Sequence, residues 1–222
     1  MGTNIRIGEP AMEHLIFSEL ASAVFLLLAG ATRYRYSVLA NTRPATLSGF
    51  TANRTRQFPA YFASTVWAIY VIWLVMAPAR FTRWDRWSIG HWGSDLLGWI
   101  AMPILATALW LFWYSHSTIG HYWSIRVELK VEHRLVTEGP YRHIRHPLYS
   151  ALFLGYTGTL LALQSWFLVV WFPAFVVSYL LFAREEEKFM ERGLGETYRT
   201  YLRQTGMFVP KWKHERKPCG SR

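Results

Sequence analysis

Two short segments of the chain hold residue types whose chemistries are complementary. Arg145-His146-Pro147-Leu148-Tyr149 sets a guanidinium and an imidazole directly before a proline, and Arg184-Glu185-Glu186-Glu187 sets three carboxylates in a row. Pro147 suits the first position of a helix. The first turn of a helix presents unpaired N–H groups and a partial positive charge, so an anionic group is favoured there. Arg145 and His146 add side-chain donors, and a small ligand's carboxylate could be held at that point. By itself this signal equals an ordinary interfacial anchor, a basic residue at the end of an apolar helix. The acids are harder to explain structurally. At the C-terminus of a helix they oppose its dipole, at a cost of a few tenths of a kcal/mol to about 1 kcal/mol for each exposed charge. A cationic wall facing an anionic one, a helix diameter or so apart, suits a ligand that carries both charges, among others.

The elements that must position these residues are apolar. Pro59 to Pro78 is a run of twenty residues without formal charge, long enough to cross a hydrocarbon core of roughly 30 Å. Leu96 to Tyr114 is a second such run, and Leu148 to Ala183 continues for thirty-six residues, too long for one span. Gln164-Ser165 near its middle predicts a tight helical hairpin, and Leu15 to Thr32 completes five segments. The fold class expected is an all-α integral membrane protein of about five transmembrane helices, with a C-terminal helical hairpin and a cytosolic amphipathic segment. Its parts are a three-span region (1–114), a cofactor-binding loop with hairpin and amphipathic segment (115–205), and a basic tail (206–222).

A formal charge of +10 raises the question of nucleic acid, but placement answers it. Five spans put Arg33, Arg35, Arg43, Arg54 and Arg56, the loop from Arg126 to Arg145, and the tail from Arg184 onward on one side. That side holds twenty basic residues against four on the other, so it is expected to be cytosolic, with the N-terminus outside. No nucleic-acid partner is needed. Trp84, Trp87 and Trp92 in the short outer loop read as an interfacial belt, and Glu19 as a carboxylate that water reaches near the outer end of the first span. Glu9, Glu13 and Glu19 flank the first segment where a signal peptide would carry basic residues. The single cysteine, Cys219, excludes an intramolecular disulfide framework. His116, His121, His143 and His146 have no acidic or thiol partner at a matching spacing, so no metal is expected.

Between the third and fourth runs lies a loop, Ser115 to Pro147, far longer than a bundle connection needs. Apolar Leu135 and Val136 interrupt its polar sequence, and Gly139-Pro140 makes a turn. Beyond the acids, Gly193-Leu194-Gly195 reads as a break. Met190, Leu194, Tyr198 and Tyr201 recur at helical spacing, as in an interfacial helix or a lid over a ligand.

His-x-Leu-Val, Gly-x-Tyr, Arg-His-Pro-x-Tyr, Glu-Glu and Gly-x-x-Tyr-x-x-Tyr occur in this order between His133 and Tyr201. In this combination the chain resembles the isoprenylcysteine carboxyl methyltransferase family. The resemblance covers about one third of the chain and leaves the first two spans without a motif. It implies a membrane enzyme that binds S-adenosylmethionine from the cytosol and methylates a lipophilic acceptor from the bilayer. It further implies that His133, Arg134, Leu135, Val136, Tyr141, His146, Pro147, Leu148, Tyr149 and Glu186 contact the cofactor, and that Arg126 stands where some members have a cofactor-reaching glutamine. Eukaryotic members are similar in carrying a substrate arginine one turn before the glutamate. Here that position is Phe182, which sets a farnesylated cysteine aside as the preferred acceptor.

Methyl transfer from a sulfonium demands alignment and exclusion of water more than acid–base work. A carboxylate acceptor attacks unaided, whereas an amine or hydroxyl needs a base, for which Tyr149, His146 and Glu187 are available. Arg145, Tyr149 and Glu187 are the residues assigned to the reaction itself. Rival readings are a phospholipid or small-amine methyltransferase, an NADPH-dependent membrane reductase, and a non-catalytic membrane subunit.

Overall fold

An apolar segment in hydrocarbon has to satisfy its own backbone, and a helix does so within one stretch of chain. In the computed structural model, which describes residues 9–41, 46–51, 58–76, 90–120, 128–130 and 135–211, the described parts of the uncharged runs are helical except at Gln164-Ser165. The helices are α1 (Glu9–Asn41), α2 (Phe58–Met76), α3 (Gly90–Ile119), α4 (Pro147–Leu163), α5 (Trp166–Leu194) and α6 (Glu196–Gln204), with a 3-10 turn at Gly139–Arg142. Leu96–Ile119 and Trp166–Leu194 are each long and apolar enough to cross a membrane, and Phe58–Trp73 and Pro147–Leu163 are shorter apolar helices. Large apolar side chains face outward along them, among them Leu27, Ile69, Trp99, Trp110, Val170 and Val177. Such surface is costly in water and is at home against lipid tails.

The described residues include one pair of strands beside the helices. Strands β1 (Thr46–Thr51) and β2 (Glu128–Lys130) pair antiparallel. They lie in the connections after α1 and after α3, so these two connections meet at the same end of the bundle. Two extended polar segments brought together there satisfy each other's backbone groups.

The hairpin forms where the sequence predicts it. Gln164 adopts a left-handed conformation (φ 50°) and its N–H donates to the Leu160 carbonyl (2.8 Å), which ends α4. Ser165 caps α5 by accepting from the Leu168 N–H. Beyond the apolar arm α5 does not stop at the acids. It runs on to Leu194 and ends at Gly195 (φ 58°), within the expected break. Glu185, Glu186 and Glu187 thus lie inside a helix and not in its last turn, where they would oppose its dipole.

Polar side chains lock α2 onto the hairpin. Trp67 Nε1 donates to Thr159 Oγ1 (3.0 Å), Tyr70 shares a hydrogen bond with Ser165 (2.7 Å), and Ser64 shares one with Tyr179 (2.6 Å). Around them Trp67, Tyr156, Leu168 and Phe175 form a core with almost no exposed surface. Because these bonds cross between helices, they fix the relative height of α2, α4 and α5, and with it the end of the hairpin that carries the acids.

Candidate functional site

The hairpin returns the chain to the level at which it began, so the start of α4 and the acidic stretch of α5 lie side by side. The Tyr149 hydroxyl donates to Glu186 Oε2 at 2.8 Å. His146 stands between the two acids, its Nδ1 3.5 Å from Glu186 Oε2 and its Nε2 3.2 Å from Glu187 Oε1. Arg145 Nε donates to Glu187 Oε1 at 2.6 Å. Glu185, one residue around the helix, pairs instead with exposed Lys188. The His146 and Tyr149 rings stack with centroids 5.2 Å apart and only 4° between their planes.

These contacts correct one expectation. The cationic and anionic walls are not a helix diameter apart; they touch, and the anion that Arg145 meets is Glu187 of the same chain. The Arg145 guanidinium also donates Nη1 to the carbonyls of Leu202 (3.3 Å) and Thr205. It therefore clamps α4, α5 and the end of α6 together and positions its neighbours. Burial alone would push the His146 pKa down, but hydrogen bonds and charge from Glu186 and Glu187 outweigh burial and raise it above the ordinary histidine value.

A segment that sequence reasoning assigned to the tail closes one side of the site. Residues 205–208 run alongside 143–146. The N–H groups of Arg145 and His146 donate to the carbonyls of Gly206 (2.8 Å) and Met207 (3.0 Å), and the Gly206 N–H donates to His143 (3.1 Å). Ser150 Oγ reaches the Phe208 carbonyl (2.6 Å), and the Phe208 ring lies 6.0 Å from His146. A Cβ on Gly206 would lie 1.8 Å from the Val209 carbonyl oxygen, so the turn is open to glycine only. From α6, buried Tyr201 donates to the Tyr141 carbonyl (2.7 Å), docking the amphipathic helix onto the 3-10 turn. This strap carries the site past the boundary expected at residue 205, and only Gly206 hinted at it in the sequence.

Tyr141 is buried, and its hydroxyl has no hydrogen-bond partner among the described residues. Burial, then the charge of Glu186 and the neighbouring Tyr201, holds its pKa well above the usual tyrosine value, so the group is a neutral hydroxyl. A buried hydroxyl without a partner costs roughly 1–3 kcal/mol. Pro147 is buried, and Leu135, Val136 and Leu148 are half-buried. Phe182 is buried, 6.1 Å from Tyr61 and 5.7 Å from Tyr149, ring to ring. Arg126, His133 and Arg134 lie outside the described residues, as do the side chains of Glu19, Trp84, Trp87 and Trp92. Among the described residues no group of three or more His, Cys, Asp or Glu side chains could hold a metal ion.

The first two helices also reach this region, through residues for which the sequence offered no motif. The Arg33 guanidinium of α1 lies 5.5 Å from the centroid of the Tyr61 ring of α2. In the sequence Arg33 counted only among the basic residues of the expected cytosolic side, and Tyr61 carried no signal.

Residues 88–197, which include most of the site, match the family model for phospholipid methyltransferase. Relatives that this chain resembles are the cobalt-zinc-cadmium resistance protein CzcN of Cupriavidus metallidurans and a methanethiol S-methyltransferase of a Pseudomonas species. The first is 31% identical over 66% of this chain and 62% of its own length. The second is 27% identical over 71% of this chain and 61% of its own length. The nickel-cobalt-cadmium resistance protein NccN of Alcaligenes xylosoxydans is 30% identical over 51% of this chain and 53% of its own length. The chain thus spans less than two thirds of each of these relatives. Over residues 88–197, just under half of the chain, the protein is thus similar to the phospholipid methyltransferase family, in keeping with the resemblance of its motifs to the isoprenylcysteine carboxyl methyltransferases.

Proposed function

We propose that this chain is an integral membrane methyltransferase that uses S-adenosylmethionine and acts on a lipophilic acceptor. The observation that carries the reading is the buried Tyr141 hydroxyl, without a partner among the described residues, within the motif cluster. The residues present fit that cofactor. Glu186 would meet its positive charges, Tyr141 would use its unspent hydrogen bond, and Leu135, Val136, Pro147 and Leu148 would line its apolar parts, with Arg126, His133 and Arg134 assigned through the family resemblance. When bound, the cofactor supplies a methyl group on a sulfonium.

The protein's own work is then to align and to keep water out. Arg145 holds the frame, and the strap and α6 cover one side. Where the acceptor brings a proton, Tyr149, His146 or Glu187 takes it. Glu187 is occupied by Arg145 and His146, which favours the Tyr149–Glu186 pair for that task. The name of the Pseudomonas relative, a methanethiol S-methyltransferase, points to an apolar thiol as one acceptor class. The family description supports a second, a phospholipid amine.

The molecule would sit with its N-terminus outside and its site and C-terminus in the cytosol. This orientation rests on the division of twenty basic residues against four. A reporter fused after Arg222 should be cytosolic and one at the N-terminus external; both on one side would mean an even number of crossings. The chemistry is tested by thermal stability in detergent with S-adenosylmethionine, S-adenosylhomocysteine or NADPH. S-adenosylhomocysteine at a hundred times its dissociation constant should add about 2.7 kcal/mol. Stabilisation by NADPH alone would replace this reading with a reductase.

A further inference from the structure

We infer that Arg33 is the acceptor-side cation of this site, and that it selects an acceptor that reacts as an anion over one that arrives as an ammonium. The inference rests on the methyltransferase reading and names the class of its acceptor. It starts from a chain of contacts that crosses three helices. Arg33 of α1 is half-buried with its guanidinium over the Tyr61 ring, Tyr61 lies against Phe182, Phe182 against Tyr149, and Tyr149 is hydrogen-bonded to Glu186. Tyr179 lies 5.1 Å from Tyr149 and completes an aromatic lining. One end of this lining is therefore negative and the other positive.

The two ends suit different reactants. A sulfonium cofactor is drawn to the Glu186 end by its charge. An acceptor approaching from the bilayer then meets the end that holds Arg33, where α1 leaves its apolar run. In surroundings poor in water a fixed guanidinium favours a thiolate or carboxylate and disfavours an ammonium, because Coulomb terms are several-fold larger than in bulk water. With such an acceptor the reaction balances without a base. The anionic sulfur or oxygen forms the new bond to the methyl carbon, the methyl–sulfonium bond breaks, and its electron pair remains on the cofactor sulfur. Phe182 leaves its own helix without a cation at this level, and Arg33 supplies one from another helix.

The test uses the full chain in nonionic micelles, with and without S-adenosylhomocysteine, and reads melting temperature on titration with hexanoate, hexanethiol or hexylamine. The wild-type protein should be stabilised by hexanoate and by hexanethiol at a pH where the thiolate is present, and not by hexylamine. Arg33→Gln should weaken the anions at least about tenfold, Arg33→Lys should retain most of the effect, and both should keep the stabilisation by S-adenosylhomocysteine. Methyl transfer should show the same order, with the thiol-to-amine rate ratio falling in Arg33→Gln. Preferential binding of hexylamine by the wild type would overturn the inference, as would anion binding that Arg33→Gln leaves unchanged. Should Arg33→Gln fail to fold, the wild-type ligand order and Arg33→Lys still decide. Absence of any response to S-adenosylhomocysteine, with anion binding intact, would instead strike the methyltransferase reading.

Discussion

The Tyr149 hydroxyl donates to Glu186 Oε2 across 2.8 Å, joining the first turn of α4 to α5 just past its apolar run. Glu186 also faces the His146 ring, so two motif residues converge on one carboxylate.

Replacing that carboxylate separates its role from general surface charge. Glu186→Gln should weaken S-adenosylhomocysteine by about 2 kcal/mol, roughly thirtyfold, the worth of a hydrogen bond to a charged group. Glu185→Gln, which weakens an exposed pair with Lys188, should change it by less than about threefold. Isothermal titration of the two variants checks this, and equal losses would mean that the acids act as an undifferentiated patch.

Arg145 is expected to matter more for the frame than for the ligand. It joins Glu187 to two carbonyls at the end of α6, and both charged side chains are largely buried. Arg145→Gln should cost about 3 kcal/mol of stability, because it leaves largely buried Glu187 with the His146 imidazole as its remaining partner and unties the end of α6. Arg145→Lys should recover only part, since an ammonium lacks the fork that serves several acceptors at once. Detergent-phase unfolding curves measure both, and a neutral Arg145→Gln would contradict the clamp.

The raised pKa of His146 makes a pH dependence with a definite sign. The folded imidazole holds its proton more tightly than the unfolded one, so its contribution is fully present below the unfolded pKa, about 6.5, and is lost as pH rises through the higher folded value. Melting temperature should fall across that interval in the wild type. His146→Gln should flatten the slope, and the charged and polar groups that face the ring are Glu186, Glu187 and Tyr149. A slope that persists in the variant would locate the titration elsewhere.

The strap offers a backbone test. Gly206→Ala pushes a methyl group into the Val209 carbonyl and should unseat the bonds that Gly206 and Met207 make to the 143–146 segment. Amide hydrogen exchange should rise at Arg145 and His146 with the apolar helices unaffected. Unchanged protection at both amides would show that the turn can relax without releasing the strap.

Much of the fold was legible because its signals are local. Uncharged runs mark apolar helices, and Gln164-Ser165 and Gly195 mark where the chain must turn or stop. The motif cluster was legible for the same reason, since a hairpin returns to its starting level and therefore brings residues 145–149 to residues 186–187. Three things required the tertiary structure. Whether the charged walls stand apart or touch depends on interhelical distance, which side-chain packing sets and no spacing encodes. The strap of residues 205–208 is held mainly by backbone hydrogen bonds, which any sequence can make and none advertises. Arg33 and Tyr61 join the site from helices distant in sequence, because the bonds from Trp67, Tyr70 and Ser64 set the height of α2 against the hairpin. The sequence by itself determined which residues could do chemistry; packing between helices decided which of them meet.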